Sequence, residues 1–360
     1  MDMEQQQKTA LIIGINGQDG SLMCDILLSK NYIVHGIIRR ASNFNTGHLT
    51  HVLDKIHLHY GDVTDCMNIF SIISETKPSE IYNFAAQSHV KVSSELENYT
   101  FQVNTLGILN ILQSVKKLGM GKTCKIYQAS TSEIYGNTTN GDILLNEESL
   151  QSPCSIYGIS KYAAQQVCNL YRDAYGMFVV NSLLFNHEGP RRGPTFVTQK
   201  IANHVAKLQH QLKYYDPHYV KDKPKSLKLG NLNARRDWGS AQLYCQVIHK
   251  TLQQDTPRNY VIATGETHSV REFTELSFKE IGIELKWIGK GLDEKGIDSR
   301  TSETLVEIDP RYFRDIDINC LIGDASKAKR ELNWEYTMTF KDLVKEMVNA
   351  AKTRLDPTKY

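Results

Sequence analysis

Short apolar runs alternate with longer amphipathic stretches through the first half of the chain, the rhythm of parallel βαβ units. The run Thr9-Ala10-Leu11-Ile12-Ile13 predicts a buried strand, and residues 21–29 predict the helix that follows it. Further strands are predicted at 32–38, 56–60, 80–84, 125–129 and 179–185. Six strands joined by helical crossovers predict an α/β fold, a doubly wound parallel sheet whose ligands bind beyond the carboxyl ends of its strands. After Asn186 the rhythm breaks. Gly189, Pro190, Gly193 and Pro194 punctuate a loop, a helix is predicted at 196–209, and the Lys-rich stretch 213–228 reads as an exposed loop. Short mixed elements follow and end on an amphipathic helix at 340–351. No internal repeat or low-complexity linker is visible.

At 360 residues the chain is too long for one core, so a smaller, discontinuous C-terminal substrate domain is expected beside the sheet. The expected division assigns 1–186 and 232–262 to the sheet domain, and 187–231 and 263–360 to the substrate domain. Lys and Arg total 42 against 40 Asp and Glu, and a net charge of +2 leaves no field suited to nucleic acid or a membrane surface. The seven cysteines stand singly, without a CxxC pair, and read as reduced thiols of a cytoplasmic protein. The opening Met1-Asp2-Met3-Glu4-Gln5 does not resemble a secretory leader, and no apolar run approaches the ~20 residues of a membrane helix. His57-x-His59 lies on an alternating strand with no assigned carboxylate ligand, so no metal is expected.

Gly14-Ile15-Asn16-Gly17-Gln18-Asp19-Gly20 joins the first strand to the first helix. Glycines at this spacing permit a tight turn and close backbone approach, while the helix N-terminus attracts a pyrophosphate. A plain turn would need no more. The strand before, the helix after and the second strand at the expected distance make the segment a Rossmann-type dinucleotide site. NAD enzymes commonly carry Asp or Glu at the end of that second strand, where this chain has Arg39-Arg40. A planar guanidinium matches a phosphate, so the pair favours the 2′-phosphate of NADP over the plainer reading of a solvated strand end. Asp62-Val63 would flank the adenine, and Phe84-Ala85-Ala86-Gln87-Ser88 would line the phosphates and ribose.

Tyr157-Gly158-Ile159-Ser160-Lys161 sets a phenol and an ammonium four residues apart, on one face of a helix. A nearby ammonium favours phenolate, which makes Tyr157 a candidate base. The strand at 125–129 runs into Ser130-Thr131-Ser132-Glu133, where a hydroxyl can hold a substrate hydroxyl beside Tyr157. Simple reductases need no carboxylate here. Glu133 is either a surface residue opening a loop or an acid–base group that moves protons to and from the substrate.

On these residues the chain resembles the GDP-mannose 4,6-dehydratase group of the extended short-chain dehydrogenase/reductase family. The resemblance is carried by Gly14 to Gly20, Arg39-Arg40, Gly61-Asp62, Ala86-Gln87-Ser88-His89-Val90, Thr131-Ser132-Glu133 and Tyr157 with Lys161. It continues through Leu184-Phe185-Asn186-His187-Glu188, Pro190-Arg191-Arg192-Gly193, Arg236-Asp237-Trp238-Gly239, Ala263-Thr264-Gly265-Glu266 and Ser269-Val270-Arg271-Glu272-Phe273. It implies catalytic roles for Thr131, Glu133 and Tyr157, with Ser132 nearby and Lys161 on the nicotinamide ribose. Tyr99, His187 and Arg192 would contact the cofactor. Asn186, Val197 and Lys200 would face the sugar nucleotide, and Arg236, Arg314 and Asp317 its diphosphate and ribose. The chain departs from the family at Asn16, Phe84-Ala85, Gly189, Asp315 and Asp317, where Thr, Leu-Gly, Ser, Pro and Glu are usual.

The implied reaction is an internal redox dehydration of GDP-mannose with NADP. Tyr157 takes the C4 hydroxyl proton as hydride leaves C4, Glu133 removes the C5 proton, water departs from C6, and hydride returns to C6. Three alternatives share parts of this site: a nucleotide-sugar 4-epimerase or another hexose dehydratase, a non-catalytic NADP-binding protein, and a dehydratase that also reduces its 4-keto product to GDP-rhamnose. The resemblance further implies a homodimer or homotetramer, with the polar loop 42–49 packed on a neighbouring subunit.

Overall fold

The computed structural model describes residues 7–42, 45–137, 143–214, 225–312, 318 and 320–355. In chain order the first lobe carries β1 (Thr9–Ile13), α1 (Gln18–Ser29), β2 (Ile33–Ile38), β3 (Ile56–Tyr60), α2 (Cys66–Thr76), β4 (Glu80–Asn83), α3 (Val90–Ser93), α4 (Glu97–Phe101), α5 (Gly107–Lys117), β5 (Lys125–Ala129), α6 (Ile156–Tyr175) and β6 (Val179–Leu184). Then come β7 (Asn186–Glu188), α7 (Val197–Tyr214), β8 (Leu227–Leu229), β9 (Arg235–Arg236), β10 (Trp238–Ser240), α8 (Ala241–Leu252) and β11 (Tyr260–Ile262). The remainder is β12 (His268–Ser269), α9 (Val270–Lys279), β13 (Leu285–Ile288), β14 (Lys295–Asp298), β15 (Thr304–Ile308), β16 (Cys320–Leu321), α10 (Ser326–Leu332) and α11 (Phe340–Leu355).

Seven parallel strands form the main sheet in the order β11-β6-β5-β4-β1-β2-β3. The six expected strands are present and a seventh joins them. At three residues, β11 is too short to announce itself by pattern. Pairing with β6, Tyr260 opposite Ser182, makes it a strand. The strand order reverses between β1 and β4, where Ile13 lies opposite Ile37 on one side and Asn83 on the other. That reversal opens the crevice in which such sheets bind ligands. Helices cover both faces, so four of the five residues of β1 and all of β4 are buried, while edge strand β3 buries only Ile56.

One apolar core lies under α1 and α8, around Ile12, Val34, Tyr127, Tyr244 and Ile248. Another lies under α2, α5 and α6, around Ile37, Ile73, Ile111, Ile126 and Cys168. A third core belongs to the second lobe, where α7, α9 and α11 enclose Ile201, Val205, Trp238, Phe273, Val344 and Met347. The antiparallel ribbon β13-β14-β15 and the parallel neighbour β8 complete that lobe. Ala328, Leu332 and Trp334 join the first core, although the sequence division places that stretch in the second lobe. Trp238 conversely packs in the second.

The Lys-rich stretch differs from its expectation at its end. Residues 215–224 lie outside the described residues, but Leu227 and Leu229 are buried and Lys228 pairs with Glu307 at 2.6 Å. The Leu-Lys-Leu alternation suits a strand with one face on a core. The loop 42–49 is described only in part. Its Leu49 is fully buried in the chain's own first core and the Asn45 carbonyl accepts a bond from Asn16. All seven cysteines are free thiols. Among the described residues no helix is long and apolar enough to cross a membrane, and no cluster of His, Cys, Asp and Glu could hold a metal ion. His57 and His59 instead stack on His35, with centroids at 4.8 and 5.2 Å.

Candidate active site

The turn after β1 is built by close backbone approach. Gly14 adopts φ +83°, and a Cβ there would stand 3.1 Å from the Ala85 amide nitrogen. A Cβ on Gly20 would lie 2.2 Å from the Gly14 carbonyl oxygen, so the first turn of α1 can seat against β1 only without a side chain. Gly17 differs: its Cβ would meet only the Gly14 oxygen at 3.4 Å, and it is the N-cap of α1. Gln18 and Asp19 follow in the first turn. Gln18 donates to Asp19 and to the His187 carbonyl at 3.0 and 3.2 Å.

His187 has an acceptor at each ring nitrogen, the Phe185 carbonyl at 2.9 Å and the Asp19 carboxylate at 2.8 Å. Burial works against both charges, but the mutual attraction outweighs it: Asp19 is held below its ordinary value and His187 above its own. The two residues, 168 positions apart in sequence, thus form one half-buried ion pair beside the glycine turn.

At the end of β2, Arg39 donates to the Tyr99 hydroxyl, while Arg40 lies on the Tyr60 ring, 6.0 Å from its centroid, and donates to the Ala41 carbonyl. Both guanidiniums are exposed. Asp62 closes an Asx turn on Thr64, and Val63 is buried against Gly107. Phe84 packs on Tyr127 at 5.5 Å, Ala85 lies beside Gly14, and Ala86 and Ser88 are half-buried and exposed neighbours in the same segment. Gln87 bonds to His89 and Thr100.

Ser155 caps α6 by accepting from the Gly158 amide at 3.0 Å, which sets Tyr157 in the first turn and Lys161 one turn later, both on the buried face. Thr131 caps the 3-10 turn Ser132–Tyr135 and accepts from the Glu133 amide at 3.2 Å, while its hydroxyl lies near enough to the Tyr157 phenol to favour its ionisation. Ser132 is buried and Glu133 half-buried beside them. Thr131, Glu133 and Tyr157 are therefore neighbours, as the sequence reading grouped them.

The electrostatics correct that reading. Burial pushes the Tyr157 phenol up to about 12, with the Thr131 bond and the Arg192 charge pulling it down and Glu133 pushing it up. Lys161 is not what lowers it. Its ammonium is turned to the Ala129 carbonyl at 2.9 Å, and burial pushes it down to about 8. Desolvation, which no spacing rule contains, outweighs the expected through-space help.

Asn186 opens β7 and Arg192 pairs with Glu188 at 3.0 Å. Val197 is exposed at the start of α7. Lys200, one turn on, donates to the Lys228 carbonyl and lies 3.4 Å over the Tyr312 ring. Arg236 is buried and donates to the carbonyls of Arg235 and Ile318 at 2.8 and 2.7 Å. Arg314 and Asp317, with Asp315, lie outside the described residues.

Three groups escaped sequence reading. Asn104 is buried in a π-helical segment, Gln102–Leu106; it accepts from the Gln87 amide, donates to the Gln87 carbonyl and donates to Ser160, tying the segment after β4 to the helix of Tyr157. Ser93 accepts from the Tyr157 amide at 3.2 Å. Asp237, buried, gathers Thr264, Gly265 and Gly323. A polar residue inside an apolar helical stretch was the available signal for Asn104; nothing local marked Ser93, and Asp237 stood in the motif Arg236-Asp237-Trp238-Gly239 without an assigned role.

The chain matches the family model described as GDP-mannose 4,6 dehydratase over residues 11–347. It is similar to a GDP-mannose 4,6 dehydratase of Drosophila melanogaster, 47% identical over 356 residues that cover 96% of this chain and 87% of the relative. A Homo sapiens protein of the same description is 45% identical, covering 97% of this chain and 92% of its own. In fold it is similar to a UDP-glucose 4-epimerase of Thermus thermophilus solved in complex with NAD, at a TM-score of 0.78 and 22% identity, with 96% and 99% of the two chains covered. The epimerase shares the architecture, whereas the dehydratases share nearly half of the residues along almost the whole length: the chain belongs to the GDP-mannose 4,6-dehydratase family.

Proposed function

We propose that this chain converts GDP-mannose to GDP-4-keto-6-deoxymannose and water with NADP as its resident cofactor. The observation that carries the reading is the grouping of Thr131, Glu133 and Tyr157 at the carboxyl end of the sheet, across from the Gly14–Gly20 turn. That turn fits a dinucleotide: the space beside Gly17 is open, the helix N-terminus lies behind it, and Ala85 approaches from β4. Gly14, Asn16 to Gly20, Asp62, Val63, the segment 84–88, Lys161, His187 and Arg192 would hold it, and Arg39 with Arg40 would meet the 2′-phosphate. When bound, the nicotinamide supplies a hydride acceptor and donor that leaves the sugar's net oxidation state unchanged.

The protein's own groups move the protons. Tyr157 takes the C4 hydroxyl proton as that carbon becomes a ketone, and Thr131 holds both the phenol and the sugar hydroxyl in line. The ketone acidifies C5. Glu133 removes the C5 proton and delivers one to the C6 oxygen, which leaves as water; C5 regains a proton as C6 is reduced, balancing the one that Tyr157 took from the C4 hydroxyl. Lys161 supplies positive charge beneath the ribose. The reading includes a cytoplasmic homodimer or homotetramer, consistent with seven free thiols and tested by sedimentation.

Deuterium placed at C4 of GDP-mannose should reappear at C6 of the same molecule, with little crossover when labelled and unlabelled sugars are mixed. A 4-epimerase would return the label to C4, and a simple dehydrogenase would lose it to the cofactor pool; either outcome overturns the reading. For the cofactor, Arg39→Ala should weaken NADP by about 10- to 100-fold, the loss of a charged hydrogen bond, and leave NAD nearly unchanged. Equal losses would remove the 2′-phosphate assignment.

A further inference from the structure

Glu188 is an acidic residue, 2% exposed, and has no role in the chemistry above. It closes β7, whose register against β10 sets it opposite Ser240. Its Oε2 accepts from the Thr198 hydroxyl at 2.6 Å, in the first turn of α7, and lies 3.0 Å from Arg192 Nε. A carboxylate this deep is costly unless its lone pairs are satisfied. Both partners come from the segment that leads from the sheet into the second lobe.

The guanidinium held in this way is fixed on its other side as well. Its carbon lies 3.8 Å from the Phe196 ring centroid, and that ring lies 5.9 Å from His89. Nε meets Glu188 as a charge contact and not as an aligned hydrogen bond, and the terminal nitrogens carry the capacity for an anion. The Arg192 charge reaches Asp19, His187 and Tyr157, depressing the proton affinity of all three, so it stands among the glycine turn and the catalytic phenol.

We propose that Glu188 is a positioning residue: its carboxylate, paired with the Arg192 guanidinium, holds that group toward the dinucleotide and thereby sets cofactor affinity without touching the cofactor. This inference rests on the dinucleotide part of the proposed function and not on the sugar.

The test is a double-mutant cycle on the full chain, read by NADPH fluorescence. Glu188→Ala should weaken NADPH by about tenfold, and adding it to Arg192→Ala should cost nothing further. Glu188→Gln keeps an oxygen for the Thr198 hydroxyl while losing the charge that pairs with Arg192, and should lose less than alanine; Thr198→Val should lose affinity only when Arg192 is present, and serves if Glu188→Ala does not fold. Losses that multiply in the double variant, or NADPH binding unchanged in Glu188→Ala, would overturn the inference. A protein that binds NADPH but leaves GDP-mannose intact would defeat the proposed function and leave this inference standing.

Discussion

Lys161 Nζ donates a 2.9 Å hydrogen bond to the carbonyl oxygen of Ala129, the last residue of β5. The bond ties the helix of Tyr157 to the sheet one residue before Ser130, where the strand turns into the segment bearing Thr131 and Glu133. Burial pushes that ammonium down to about 8 and the neighbouring phenol up to about 12. In the proposed reaction Tyr157 loses a proton and Lys161 keeps one, so activity should rise with pH and level off as pH passes about 8, where Lys161 gives up its charge. In Lys161→Arg the guanidinium stays charged, and the rise should continue through that range although turnover is lower. A profile of kcat/KM over about pH 6 to 10 reads this; an unchanged levelling in the arginine variant would assign it to another group.

The two glycines of the turn should part company. Gly20→Ala forces a Cβ to 2.2 Å from a backbone oxygen, which only backbone movement can relieve, and a loss of about 2–4 kcal/mol is expected in urea unfolding. Gly17→Ala meets nothing closer than 3.4 Å, so stability should stay within about 0.5 kcal/mol while the methyl intrudes on the dinucleotide and NADPH affinity drops. Equal stabilities for the two variants would contradict the packing described.

Tyr157→Phe should block oxidation at C4, because the hydroxyl proton then has no base. Glu133→Gln should act later, leaving oxidation possible while loss of water slows. On adding GDP-mannose, only the Glu133 variant should build up reduced-cofactor absorbance at substantial amplitude. If both variants stay silent, the division of roles is wrong.

Asp237 makes a pH-dependent contribution to stability. Its carboxylate accepts from the Thr264 amide and hydroxyl and from the amides of Gly265 and Gly323, yet burial pushes it up to about 6. A carboxyl of about 3.9 in the unfolded chain binds its proton less readily than this one, so the contribution is fully present below about pH 4 and is lost as pH rises through about 6. The stability of the wild-type chain relative to Asp237→Asn should therefore decline between about pH 4 and 6. Asp237→Ala, which strands three backbone amides, should cost about 3 kcal/mol at neutral pH. Denaturant melts at the two ends of the window decide it; a gap that does not vary with pH would refute the assignment.

Much of the site was legible because it is local. The apolar run of β1, the glycines after it and the four-residue step from Tyr157 to Lys161 each act within one turn or one strand, and period and spacing determine them. The arginine pair after β2 was visible for the same reason. Other features needed contacts between distant segments. β11 is a strand only because β6 lies beside it, and Asn104 is informative only because Gln87 and Ser160 converge on it. The pairing of Asp19 with His187 joins positions that no local pattern relates. Above all, the charge states were beyond the sequence. The chain specifies which ionisable groups it carries, but their proton affinities follow from how much water the fold removes and which charges it brings near. In this protein that turned Lys161 toward a backbone carbonyl and raised Tyr157 instead of lowering it, with Thr131 ahead of Arg192 in favouring its ionisation.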